Sequence, residues 1–133
     1  MRTVDAELKA IRLLVDDYEA CVRFYRDLLG CEPHYGSEDT AIIDFGFGCK
    51  PTMLALFDSK TSEGADEAVE RPDGGRDGLI LVFRVDCVDA LYERLRDRGV
   101  QFLFPPRDFP DLKVRGTRFR DPQGNLLEIN EGL

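Results

Sequence analysis

Residues 8–30, LKAIRLLVDDYEACVRFYRDLLG, decide the fold, because residues 78–99, GLILVFRVDCVDALYERLRDRG, repeat their design. Each stretch opens on an apolar run rich in Ile, Leu and Val, which reads as a buried strand. Each then reaches an aspartate, Asp16 or Asp86, suited to cap a helix. The apolar stripe that follows, Tyr18, Cys21, Val22, Tyr25, Leu28 and Leu29, has the spacing of one α-helical face. Its counterpart is Val88, Leu91, Tyr92 and Leu95, and one offset of 70 residues joins Tyr18 to Val88 and Tyr25 to Leu95. Gly30 and Gly99 follow the stripes as helix-ending residues.

Three short strands are expected after each helix. They fall near 32–35, 40–45 and 52–57 in the first half, and near 101–104, 112–119 and 125–130 in the second. The unit is strand–helix–strand–strand–strand, used twice. Module one covers about 6–57 and module two about 78–131 of a single domain spanning 1–133. Residues 58–77 are polar and acidic and read as a surface connector, or as a lid over a pocket.

Two pieces of sequence carry a resemblance. One is Val15-Asp16-Asp17 followed by Phe24-Tyr25-Arg26-Asp27-Leu28-Leu29-Gly30. The other is Phe83-Arg84-Val85-Asp86 with Phe119-Arg120-Asp121-Pro122-Gln123-Gly124-Asn125-Leu126-Leu127-Glu128. Together they resemble the vicinal oxygen chelate superfamily of glyoxalases, bleomycin-resistance proteins and extradiol dioxygenases. The resemblance implies an α+β fold. Two tandem βαβββ modules would form a curved, eight-stranded mixed sheet, a cup with helices on its convex face. It implies a small-molecule ligand on the concave side and a homodimer, the cup being built within one chain or across two.

In the metalloenzymes of that superfamily the first and last strands of each module supply the ligands of a divalent ion. The matching positions here are Ala10 and Ile80 on the first strands and Ala55 and Glu128 on the last. Methyl and alkyl groups donate no lone pair, and one carboxylate does not make a catalytic site. No metal site and no cofactor are therefore expected. His34, the single histidine, reads as a surface residue.

Alternation along the strands selects what faces the cup. Arg12 and Leu14 accompany Ala10, Val82 and Arg84 accompany Ile80, and Asn130 accompanies Glu128. Arg12, Leu14, Val82, Arg84, Glu128 and Asn130 are the expected ligand-binding residues. An arginine fork suits a carboxylate or phosphate, and Glu128 suits a cation or hydroxyl. Mutual pairing of Arg12 and Glu128 would explain the same residues without a ligand. Phe102, Phe104, Phe109 and Phe119 divide between core and cup, with no assignment from sequence.

A net charge of −8 argues against nucleic acid and against an anionic membrane as partners. No apolar run approaches membrane-spanning length. Four cysteines without a C-x-x-C pair, and an N-terminal MRTVDAELKA without an apolar core, suggest a cytoplasmic protein with reduced thiols. The leading expectation is a metal-free binding protein of the bleomycin-resistance kind, which sequesters or carries an aromatic or cationic small molecule. The alternative is a lyase, isomerase or dioxygenase-like enzyme with Glu128 as general base. A third is a regulatory module that works through its outer surface.

Overall fold

The computed structural model describes residues 8–61, 64 and 78–133, and most of the connector expected at 58–77 lies outside them. The chain divides into two compact units, Met1–Glu70 and Arg71–Leu133. Each is a βαβββ module, as the repeat predicts, and the architecture is α+β, as the resemblance implies.

In the first module, β1 (Ala10–Val15) leads into α1 (Tyr18–Arg23), which widens into a π-helical turn over Phe24–Leu28. β2 (Glu32–Tyr35), β3 (Ile42–Phe47) and β4 (Lys50–Asp58) follow, and the sheet order is β1-β4-β3-β2. β1 runs parallel to β4, while β3 is antiparallel to β4 and β2 to β3. The second module repeats this with β5 (Ile80–Arg84), α2 (Val88–Asp97), β6 (Arg107–Phe109), β7 (Val114–Arg120) and β8 (Leu126–Gly132). Its order is β5-β8-β7-β6, with β5 parallel to β8.

Period-two alternation decides which sheet face meets the helix. Leu13, Val15, Ile43, Phe45, Leu54 and Leu56 are buried, and α1 packs against β4. Leu81, Phe119, Leu127 and Ile129 do the same work in the second module, where α2 packs against β7 and β8. The opposite faces carry the more exposed side chains, Arg12 on β1 and Val82 and Arg84 on β5.

The capping expectations need correction. Asp17, not Asp16, caps α1: its carboxylate accepts the Ala20 N–H at 3.2 Å, and Asp16 instead accepts the Ser59 hydroxyl. Asp86 does not cap α2. The residue at the cap is Cys87, and the Val88 N–H donates to Glu131 Oε1 at 2.9 Å, a carboxylate brought from β8. Tertiary structure thus supplies a cap that local sequence cannot show. The expected ends hold: Gly30 and Gly99 take left-handed φ values of 74° and 95°. At Gly99, N–H groups of Gly99 and Val100 close on Arg96 and Leu95 carbonyls in a Schellman arrangement. The stripe through Leu28 and Leu29 is broken by the π-helical turn. It buries Phe24 beside Tyr25 and leaves both leucines half-buried.

The strand expected at 101–104 is not there. Phe102 makes one isolated bridge to Phe119, and the edge strand lies at Arg107–Phe109. Pro105 and Pro106 intervene, and neither has an N–H to donate to a ladder. The strand expected at 40–45 begins at Ile42, because Thr40 is held in a turn by its hydrogen bonds to Ser37.

Two predictions arise from the packing. His34 is exposed on β2, but its ring covers Gly46 of the neighbouring strand, and a Cβ at Gly46 would overlap the imidazole. Gly46→Ala should destabilise the protein by about 1–3 kcal/mol. Adding His34→Ala should recover most of that, read as urea midpoints of the two single variants and the double variant. Burial pushes the buried Cys31 thiol up to about 11 from 9.0. The unfolded thiol ionises first, so its contribution to stability is complete below pH 9.0 and is lost as pH rises towards 11. Tyr18, also raised by burial, adds to the same alkaline loss. The urea midpoint should fall across that window, and fall less in Cys31→Ala.

Candidate functional site

The parallel pairings fix where the expected site residues stand. In module one Arg12 lies beside Ala55 and Leu14 beside Phe57; in module two Val82 lies beside Glu128 and Arg84 beside Asn130. Ala55 and Glu128 therefore hold equivalent places, each beside the residue two after Ala10 or Ile80. On the first sheet the Arg12 guanidinium lies over the Phe57 ring, 4.2 Å from its centroid.

On the second sheet the polar residues form one chain of hydrogen bonds on the face away from α2. Arg84 Nε donates to Asn130 Oδ1 at 3.0 Å, Asn130 Nδ2 donates to Glu128 Oε2 at 2.8 Å, and Arg118 Nε donates to Glu128 Oε1 at 2.9 Å. Three strands contribute: β5 gives Arg84, β8 gives Glu128 and Asn130, and β7 gives Arg118, which stands opposite Glu128. Glu128 and Asn130 are both buried, so their mutual satisfaction matters. A buried carboxylate without partners would carry a cost of several kcal/mol. Val82, 57% exposed, gives this polar row an apolar neighbour.

Glu128 thus has a cation from its own module. Arg118 is a site residue that the sequence reading does not name. The signal was present: Arg118 and Arg120 flank the buried Phe119, so alternation puts both arginines on the Glu128 face. The aromatic residues also divide. Tyr92, Phe102 and the buried Phe119 make a row of tilted ring contacts, with centroids 4.6 and 5.1 Å apart. Phe104 and Phe109 instead flank Arg107, whose guanidinium carbon is 4.4 and 4.7 Å from their centroids.

A concavity of about 360 Å³ opens at the start of α1 in module one. Asp16, Asp17, Glu38, Asp39 and Asp58 line it with little hydrocarbon. Small-molecule sites have mostly apolar walls, so the second-sheet face is the stronger candidate.

Residues 7–129 match the sequence model of the Glyoxalase/Bleomycin resistance protein/Dioxygenase superfamily. The chain belongs to that superfamily. Among its relatives, the uncharacterised protein YraH of Bacillus subtilis strain 168 is 33% identical over 129 residues, covering 96% of this chain and 99% of YraH. A lactoylglutathione lyase from Agrobacterium tumefaciens is 25% identical with a TM-score of 0.68, covering 98% of this chain and 96% of the lyase. TnmS3, an antibiotic binding protein from Streptomyces sp. CB03234, shares the fold at 24% identity and a TM-score of 0.72, covering 99% of this chain and all of TnmS3. The superfamily's fold thus hosts an enzyme and a binding protein.

The superfamily also implies a divalent ion, and the residues here do not fit one. Ala10, Ala55 and Ile80 offer no donor atom. Both oxygens of Glu128 already accept hydrogen bonds, and an ion beside them would face the Arg118 guanidinium. Among the described residues no group of His, Cys, Asp and Glu side chains is placed to hold a metal ion. No helix among them is long and apolar enough to cross a membrane.

Proposed function

We propose that this chain is a metal-independent small-molecule-binding protein of the glyoxalase/bleomycin-resistance fold. It would hold an aromatic ligand without altering it. The observation that carries the reading is the Arg84–Asn130–Glu128–Arg118 chain. These are polar groups fixed in advance on one sheet face, beside an exposed Val82 and the Phe104–Phe109 pair. Binding sites combine apolar surface with a few placed polar groups, and groups already locked in position lose little entropy on binding. On the first sheet's own face, Arg12 and Leu14 remain candidate contacts.

The enzyme reading needs Glu128 as a general base. A base must come within hydrogen-bond reach of the substrate proton. Here Glu128 is buried and each of its carboxylate oxygens already accepts a hydrogen bond, one of them from a guanidinium, so a substrate proton would have to approach past those partners. That geometry favours holding a ligand over abstracting its proton.

The test is a thermal-shift screen of aromatic small molecules with and without EDTA, followed by recovery of each binder. Binding indifferent to EDTA, with the ligand recovered unchanged, is the expected result. Conversion of a binder to product at a rate lost in Glu128→Gln would overturn the proposal in favour of the enzyme. The proposal includes a homodimer, which native mass spectrometry should show at twice the 15.1 kDa chain mass.

A further inference from the structure

We infer that the second sheet grips an oxyanion between Arg107 and Arg118, so that its ligand is an organic anion, a carboxylate or phosphate on an aromatic body. This rests on the reading of that sheet face as the binding face. The strand registers make Arg107 part of it. Arg107 of β6 stands beside Gly116 of β7, and Gly116 stands beside Asn130 of β8. Arg107 therefore shares a face with Arg118, Glu128 and Asn130.

Arg107 is positioned by aromatic rings. Its guanidinium lies against the rings of Phe104 and Phe109, whose centroids are 6.0 Å apart. Among the described residues it has neither a carboxylate nor any other hydrogen-bond acceptor. Aromatic faces attract a guanidinium through their quadrupole and leave its N–H donors at the edge of the plane unused. Arg118 lies over the same Phe109 ring, 5.9 Å from the centroid, and gives only its Nε to Glu128. Its two terminal nitrogens are not spent on that bond. Phe109 thus brings together two guanidiniums with donors in hand, the planar forks that suit carboxylate or phosphate oxygens.

The charge on the face agrees. Arg84, Arg107, Arg118 and Arg120 stand against Glu128, while the whole chain carries −8. At physiological ionic strength exposed charges more than about 8 Å away are largely screened. The local arginines therefore outweigh the overall acidity. A cationic ligand, one of the two kinds expected from sequence, would meet repulsion here.

The experiment titrates the full chain with benzoate, phenyl phosphate, benzamide and benzamidine, which keep one ring and change its charge. It is followed by ¹H–¹⁵N NMR at low salt. Benzoate or phenyl phosphate should move the amides of Arg107, Phe109, Gly116 and Arg118, with a dissociation constant at least tenfold below that of benzamide. Benzamidine should bind more weakly still. Arg107→Gln and Arg118→Gln should each bring the anions to the level of benzamide, with amides outside the patch unmoved to show that the fold persists. Equal affinity for all four probes at this face would overturn the anion inference and leave the binding face standing. Shifts confined to other surfaces would overturn both. An anion preference that survives both substitutions would overturn the assignment to Arg107 and Arg118.

Discussion

Phe119→Ala should destabilise the protein by about 3–5 kcal/mol, the usual cost of removing a buried phenyl ring. The ring is fully buried and ends the row of tilted rings that runs from Tyr92 through Phe102. It is also the point where β7 is pinned to the core, between Arg118 and Arg120 on the other face. Urea unfolding followed by circular dichroism measures the loss. Phe119→Leu, which conserves most of the volume, should cost less than half as much. Equal costs for the two would mean that the ring–ring contact, and not the cavity, dominates.

Asp121→Ala should cost about 2–4 kcal/mol, because hydrogen bonds to a charged group contribute roughly 1.5–3 kcal/mol each and are not additive. The Asp121 side chain is an internal scaffold for the turn before β8. Its Oδ1 accepts the N–H groups of Gln123 and Asn125 at 2.9 and 2.8 Å, and its Oδ2 accepts Asn125 Nδ2 at 2.9 Å. Asp121→Asn keeps one acceptor oxygen and sets an amide against the Asn125 amide, so it should cost about half as much. The functional consequence follows from register. This turn sets how β8 lies against β7, and that register places Glu128 opposite Arg118. The alanine variant should therefore lose the Glu128–Arg118 pair as well as stability, visible as a shift of the Arg118 Nε–H resonance.

The fold was legible because its signals are local and repeated. Strand and helix stripes recur at a fixed offset, and glycines stand where each helix ends. One departure lies where distant chain decides, and two lie in local backbone chemistry. Glu131 reaches α2 from another strand, so Asp86 looked like the cap. The π-helical turn shifts the first stripe within an element whose spacing reads as plain α-helix. Tandem prolines displace the edge strand that the sequence suggests near 101–104.

The candidate site was half legible. Alternation placed Arg84, Val82, Glu128 and Asn130 on one face, because a strand's period permits no other choice. The cation opposite Glu128 depends on the register across the turn at Asp121, which one strand alone does not reveal. Arg107 was missed for a similar reason. Its place on the face depends on the short edge strand that the prolines moved.

Three of the superfamily's four metal positions are here Ala10, Ala55 and Ile80, and the carboxylate at the fourth, Glu128, accepts a hydrogen bond from Arg118. Calorimetric titration of the purified chain with Zn²⁺, Ni²⁺ and Mn²⁺ tests the loss of the metal site most directly, with Glu128→Ala as the control. No heat of specific binding in the micromolar range, and no difference between the two proteins, is the expected result. One ion bound per chain at micromolar affinity, lost in Glu128→Ala, would contradict it.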